Sequence, residues 1–187
     1  MKSKSLLLSV VVLVLAFVVS SCLTCETKEY KITFTGKNKG KLTIKYINIM
    51  SKFDSEELTQ SEELNKDYKE LIDNYIKGEE AAKAFPNAKL ISKRLFEENG
   101  KLCGEAVYEF DGLDQVKIFQ PNDKCPYMYY ISDLMTETYK NSNGTKGPDY
   151  FPAIYWDNTS KSLEFSTTVN EPDDKTTSLL SKWKENK

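Results

Sequence analysis

Fourteen residues, Leu6 to Val19, form a run that is apolar except for Ser9, and nothing else in the chain approaches it. A helix needs roughly 20 such residues to cross the hydrocarbon layer of a membrane. This run is too short for that, and it follows a small positive stretch containing Lys2 and Lys4. Ser20 and Ser21 come next, small residues of the kind that flank a cleavage point. Charge, short apolar core and small residues make the plan of a secretory signal peptide. Residues 1–21 are therefore expected to stand outside the fold, leaving the 166 residues 22–187 to build it. A chain of that length buries about 70% of its unfolded surface, enough for one domain with its own core.

The segment Val19-Ser20-Ser21-Cys22 resembles the lipobox of bacterial lipoproteins. In that class an aliphatic residue and two small ones precede a cysteine, which is diacylated on sulfur before cleavage leaves it as the new N-terminus. The resemblance implies lipidation at Cys22, a lipidated leader over 22–29 and a single globular domain over 30–187. It also implies a membrane partner, reached through the anchor, in the bacterial cell envelope, at the outer membrane or cell surface rather than in the cytoplasm. Each buried methylene adds about 0.8 kcal/mol and stable anchoring needs more than one chain, which the triacylated terminus of this class supplies. A plain secreted protein cut after Ser21 and a retained membrane helix are the alternatives. The leader has no Gly/Ser or Pro tether, so the domain is expected close to the membrane, with Cys25 in the flexible leader.

Without Lys2 and Lys4 the chain keeps 24 basic and 28 acidic residues, a net charge of −4, with no histidine. Arg94 is the only arginine. Bidentate recognition of phosphate and guanine relies mainly on arginine forks, so a mildly acidic chain without a basic stripe argues against nucleic acid. Outside the cytoplasm disulfides persist. With Cys22 used for lipid, Cys25, Cys103 and Cys125 allow three single pairings, of which Cys103–Cys125 is favoured because both lie in the strand-rich half. Such a bond closes a loop of roughly 20 residues and contributes about 3 kcal/mol; buried free thiols are the alternative.

Tyr30, Ile32 and Phe34 alternate with polar residues, Gly36 to Gly40 signal a turn, and Leu42, Ile44 and Tyr46 resume the alternation: a β-hairpin. At Ile47 and Ile49 the apolar phase changes face, which predicts a bulge or bend. Leu64, Tyr68, Leu71, Ile72, Tyr75 and Ile76 line one helical face, with Thr59 and Glu62 as a candidate capping box, Ser61 or Asp54 as rival N-caps, and Gly78 as the stop. Glu56, Glu57, Glu62 and Glu63 crowd the helix start, where the macrodipole favours acids. A shorter helical piece covers Glu79 to Phe85. From Lys89 to Val169 the spacing predicts short antiparallel strands at Leu90–Phe96, Leu102–Phe110, Gln115–Phe119, Tyr127–Ser132, Ala153–Trp156 and Ser162–Val169. Tyr127 to Ile131 is apolar on both faces, which predicts cover on each side. The longest irregular segment is 141–152, and Thr177 to Lys184 closes the chain as a short amphipathic helix. These elements predict an α+β domain: N-terminal hairpin, amphipathic helix, antiparallel sheet and C-terminal helix. The alternative is a small β-barrel or sandwich with an accessory helix.

The absence of histidine removes Ser-His-Asp and Cys-His hydrolysis and HExxH zinc chemistry. No metal or cofactor is expected: no CxxC pair stands away from the anchor, and there is no Walker-type loop, GxGxxG or calcium loop. Asp111 and Asp114 superficially resemble paired carboxylates, but Asp111-Gly112 reads as a turn. Eight aromatics fall between Tyr127 and Trp156, and Tyr150 and Phe151 sit in a Pro/Gly loop where burial is hard to arrange. They are the candidate binding residues. The leading expectation is a non-catalytic envelope lipoprotein that binds a protein or glycan partner; the alternatives are a lipocalin-like carrier of a small apolar ligand and a carboxylate-based hydrolase.

Overall fold

The computed structural model describes residues 22–131 and 136–187. The expected signal peptide, and Ser132 at the end of one predicted strand, lie outside the described residues. The domain is α+β: mostly antiparallel sheet with a few helices and, among the described residues, no closed barrel.

The first two strands, β1 (Leu23–Gly36) and β2 (Lys39–Lys52), form one long hairpin. Its turn places Asn38 in the left-handed region, at φ 56°, which asparagine tolerates better than most residues. Tyr30, Ile32, Leu42 and Ile44 are buried on one face by the expected alternation. The expected flexible leader is corrected. Leu23 to Glu29 is strand, pairing with the far half of β2 from Leu23↔Ser51 through Thr27↔Ile47, with Cys25 and Thr27 buried. A cysteine and a threonine serve as its inward residues, so no apolar alternation announces it. At the predicted change of face Asn48 takes φ 56°, and Asn48 to Ser51 are buried in succession.

Two more strands, β3 (Lys89–Glu98) and β4 (Lys101–Phe110), turn through Asn99 and Gly100, both at positive φ as a type I′ turn requires. The predicted strand Gln115–Phe119 shrinks to β5 (Ile118–Phe119), because Leu113–Val116 wind into a 3-10 turn. Then follow β6 (Tyr127–Tyr130), β7 (Thr138–Ser142), β8 (Thr145–Lys146), β9 (Ala153–Trp156), β10 (Ser162–Thr168) and β11 (Thr176–Ser178). The larger sheet runs β3-β4-β2-β1-β10-β7, with β11 added on β2; the smaller runs β5-β6-β9-β8. Among the described residues neither sheet closes on itself.

Helix α1 (Gln60–Glu70) begins with the capping box complete: Thr59 Oγ1 accepts from Glu62 N, and Thr59 N donates to Glu62 Oε2 at 2.9 Å. Its continuation, Leu71–Lys77, is π-helical and ends at Gly78, where a Cβ would lie 2.7 Å from two backbone carbonyl oxygens. Two short helices complete the set among the described residues, α2 (Glu80–Lys83) and α3 (Leu180–Glu185).

The helices and the smaller sheet divide one face of the larger sheet. Leu71, Leu64, Tyr68 and Trp183 pack around Ile49 and Leu102 near the start of β1. The smaller sheet covers the other half with an aromatic core. Tyr30 stacks on Phe165 at 4.4 Å, Phe165 meets Tyr129 at 4.5 Å, and Phe34 stacks on Tyr127 at 4.9 Å. Tyr46 touches both clusters.

The cysteine pairing also needs correction, because Cys25, Cys103 and Cys125 are free thiols. Cys103 on β4 adjoins Gly104, which faces Tyr46, whereas Cys125 belongs to the β5–β6 turn, whose Asp123 bonds Lys37 at the tip of the hairpin. Seven residues of strand separate those levels, about 20 Å, and a disulfide needs Cα atoms within about 7 Å. Burial pushes the Cys25 thiol up to about 12 and raises Cys103 as well. Alkylation of the native protein at mildly alkaline pH is therefore expected to label Cys125 and spare Cys25 and Cys103. Rapid native labelling of Cys25 would contradict the strand assignment of the leader.

Candidate functional site: the aromatic face of the smaller sheet

Side chains alternate across a strand, so the inward packing of Tyr127 and Tyr129 sends Met128 and Tyr130 to the opposite face of β6. The register carries that face across the sheet: Phe119 opposite Met128, Met128 opposite Tyr155, and Tyr155 opposite Thr145. Phe119 is 56% exposed and Tyr130 43%. The predicted cover on both sides of β6 is thus corrected: one side is core and the other is open. Two-sided apolar character marked an apolar outer face rather than a second layer.

Phe151 joins this face from the β8–β9 loop, which also carries Tyr150. That loop is tied at both ends: Gly147 N donates to Ala153 O at 2.7 Å, Phe151 N to Pro148 O at 2.9 Å, and Ile131 N to Pro152 O at 2.9 Å. A Cβ on Gly147 would lie 2.9 Å from Phe151 O, so the close return of the chain depends on glycine. Lys146 pairs with Asp149 at 2.6 Å across the same turn. The fixed loop leaves Tyr150 at 90% exposure and lays Phe151, 39% exposed, 5.5 Å from the Tyr130 ring. Phe119 and Tyr130 are members that loop composition does not reveal; the two-sided apolar pattern of β6 is the signal for Tyr130.

The other candidates lie elsewhere. Cys22 precedes β1, its carbonyl accepting from Lys52 N at 2.8 Å and its thiol donating to Glu63 Oε1 at 2.8 Å. Asp111 is occupied in its turn, where Gln115 Nε2 donates to Asp111 Oδ1 at 3.0 Å and Asp111 N donates to Gln115 Oε1 at 3.1 Å. Between the π-helical turn and the larger sheet lies an apolar cleft of about 300 Å³, lined by Leu23, Tyr46, Ile49, Leu71, Ile76 and Leu95.

No protein-family model, curated protein or solved structure matches this chain. Its chemistry must be judged from the residues. Aromatic rings on a rigid support offer large apolar area with hydroxyl handles, and they suit sugar rings or the apolar side chains of a protein. Among the described residues no cluster of histidine, cysteine or acid is arranged to hold a metal.

Proposed function

We propose that this chain is a lipid-anchored protein of the bacterial envelope that binds a protein or glycan partner through the aromatic face of the smaller sheet, without catalysis. The observation that carries the binding assignment is the tied loop that holds Tyr150 at 90% exposure and its neighbour Phe151 against the Tyr130 ring. A loop held by backbone bonds loses little freedom on binding, so the contact area of its rings is retained as affinity. The anchor rests on the lipobox resemblance at Cys22.

The test compares wild type with Tyr150→Ala and Phe151→Ala in capture from envelope extract and in binding to immobilised glycans. Aromatic hot spots cost about 2 kcal/mol each when truncated, near thirty-fold in affinity. One of the two arms is expected to show binding that each substitution weakens to that degree. Binding indifferent to both substitutions would remove the assignment.

A further inference from the structure

Helix α1 carries two buried carboxylates one turn apart, Glu63 (2% exposed) and Asp67 (0%). Among the described residues no ion pair reaches either of them. Glu63 Oε1 accepts from the Cys22 thiol at 2.8 Å, and its Oε2 faces the N–H groups of Asp54 and Ser55 at 3.3 and 3.4 Å. Asp67 Oδ2 accepts from Ser51 Oγ at 2.5 Å, and its Oδ1, fully enclosed, has no partner. Burial holds the Asp67 carboxyl above its ordinary value. Two acids at this depth without a cation are costly, because a buried carboxylate is tolerated when a positive partner completes it.

The residue beside them is the one at which the chain is expected to be cut. Cys22 is pinned by its carbonyl to Lys52 N, next to Ser51. Hydrolysis of the Ser21–Cys22 amide, with water as co-reactant, leaves a carboxylate on Ser21 and an ammonium on the α-nitrogen of Cys22. The Lys66 ammonium acts on Cys22 and Asp67 from a distance without pairing with either acid, so cleavage is what brings a cation to the carboxylates themselves.

We infer that the Glu63–Asp67 pair is the seat of the processed amino terminus, with the Cys22 α-ammonium as the cation the two carboxylates lack. The inference rests on the lipoprotein assignment of the leader. Transfer of a diacylglyceryl group from a membrane phospholipid forms the S–C bond as the C–O bond to the headgroup phosphate breaks. The phosphate leaves with the thiol proton, the thiol's hydrogen bond to Glu63 is lost, and the ammonium takes the vacated acceptor. The free amine departs from the triacylated terminus that the lipobox resemblance implies, since a third acyl chain on nitrogen would make an uncharged amide. The mature terminus is diacylated, which still gives the two chains that stable anchoring needs.

The test uses the full chain made with its leader in a lipoprotein-processing bacterium and extracted from the membrane in detergent. Its comparison is the uncleaved precursor, obtained with the lipoprotein signal peptidase inhibited. Mass analysis of the terminal peptide reports the cleavage point and the number of acyl chains; reductive methylation reports the amine. The expected terminus is Cys22 with two chains on sulfur and a free amine that methylates at least tenfold slower than in Asp67→Asn or Glu63→Gln. Asp67→Asn is expected to lower the melting temperature of the processed protein by about 5 °C, and to leave the precursor unchanged or raise it. A chain still beginning at Met1 overturns both the lipoprotein assignment and this inference. A cut chain whose nitrogen is acylated, or whose amine methylates equally in all variants, overturns the inference alone. The amine readout holds with or without lipid, so loss of the anchor is a separate result.

Discussion

Trp156→Ala is expected to remove about 3–5 kcal/mol of stability, the range for truncating a buried tryptophan. Trp156 lies on β9, buried, with its ring 6.0 Å from Phe165 on the larger sheet. Its Nε1 donates to Asn143 Oδ1 at 2.6 Å, and the same oxygen accepts from Glu164 N at 2.8 Å. One side chain thus joins the two sheets by packing and by a shared acceptor. Trp156→Phe keeps most of the packing and leaves Asn143 Oδ1 bonded to Glu164 N, so its loss should be nearer the indole hydrogen bond alone, about 1 kcal/mol. Denaturant unfolding measures both. Domains of this size have about 5–15 kcal/mol in all, so the alanine variant should unfold at visibly lower denaturant. A loss under about 1 kcal/mol for alanine would mean that the smaller sheet does not rest on the larger one as described.

Removing Glu137 should be nearly as damaging, for an electrostatic reason. Its carboxylate gathers three donors from two strands: Lys28 Nζ at 2.5 Å, Tyr30 Oη at 3.0 Å and Thr167 Oγ1 at 2.8 Å. Tyr30 and Thr167 are buried, and Lys28 is mostly covered. Glu137→Ala leaves two buried hydroxyls and a half-buried ammonium without their acceptor. Breaking such a set from one side costs about 2–4 kcal/mol, reduced from the fully buried range because both charged groups retain some solvent. Glu137→Gln keeps an acceptor oxygen and should lose less than half as much. Thermal unfolding of the two variants separates them; equal losses would show that charge, not acceptor capacity, holds the site.

The parts of this fold that can be read from sequence are those fixed by neighbours in the chain. The Thr59–Glu62 capping box and the alternation of Tyr30, Ile32, Leu42 and Ile44 depend on a few adjacent residues, and both take the expected form. What depends on distant partners was hidden. The strand from Leu23 to Glu29 buries a cysteine and a threonine, and only the far half of β2 makes it a strand. β7 and β8 are short and polar, held by pairing with β10 and β9. The Cys103–Cys125 pairing failed because sequence separation carries no information about which end of a long strand a turn will meet. The candidate site divides the same way. Tyr150 and Phe151 stand out by the composition of their loop, whereas Phe119 and Tyr130 belong to it through a register that only the assembled sheet defines.

The hairpin strand β1 has a mechanical consequence. It starts one residue after Cys22, lies between β2 and β10, and runs out beneath the smaller sheet, whose contacts with it begin at Tyr30 and continue to the turn at Lys37. At 3.3 Å per residue, those contacts lie about 25–50 Å from Cys22. With an anchor at Cys22 and a partner held on the aromatic face, any pull between membrane and partner is transmitted along this one strand. Antiparallel ladder bonds stand perpendicular to the strand, so such a load shears many of them together instead of opening them in sequence. On the proposed function the central strand would serve as a stiff tether, in the place of a flexible linker.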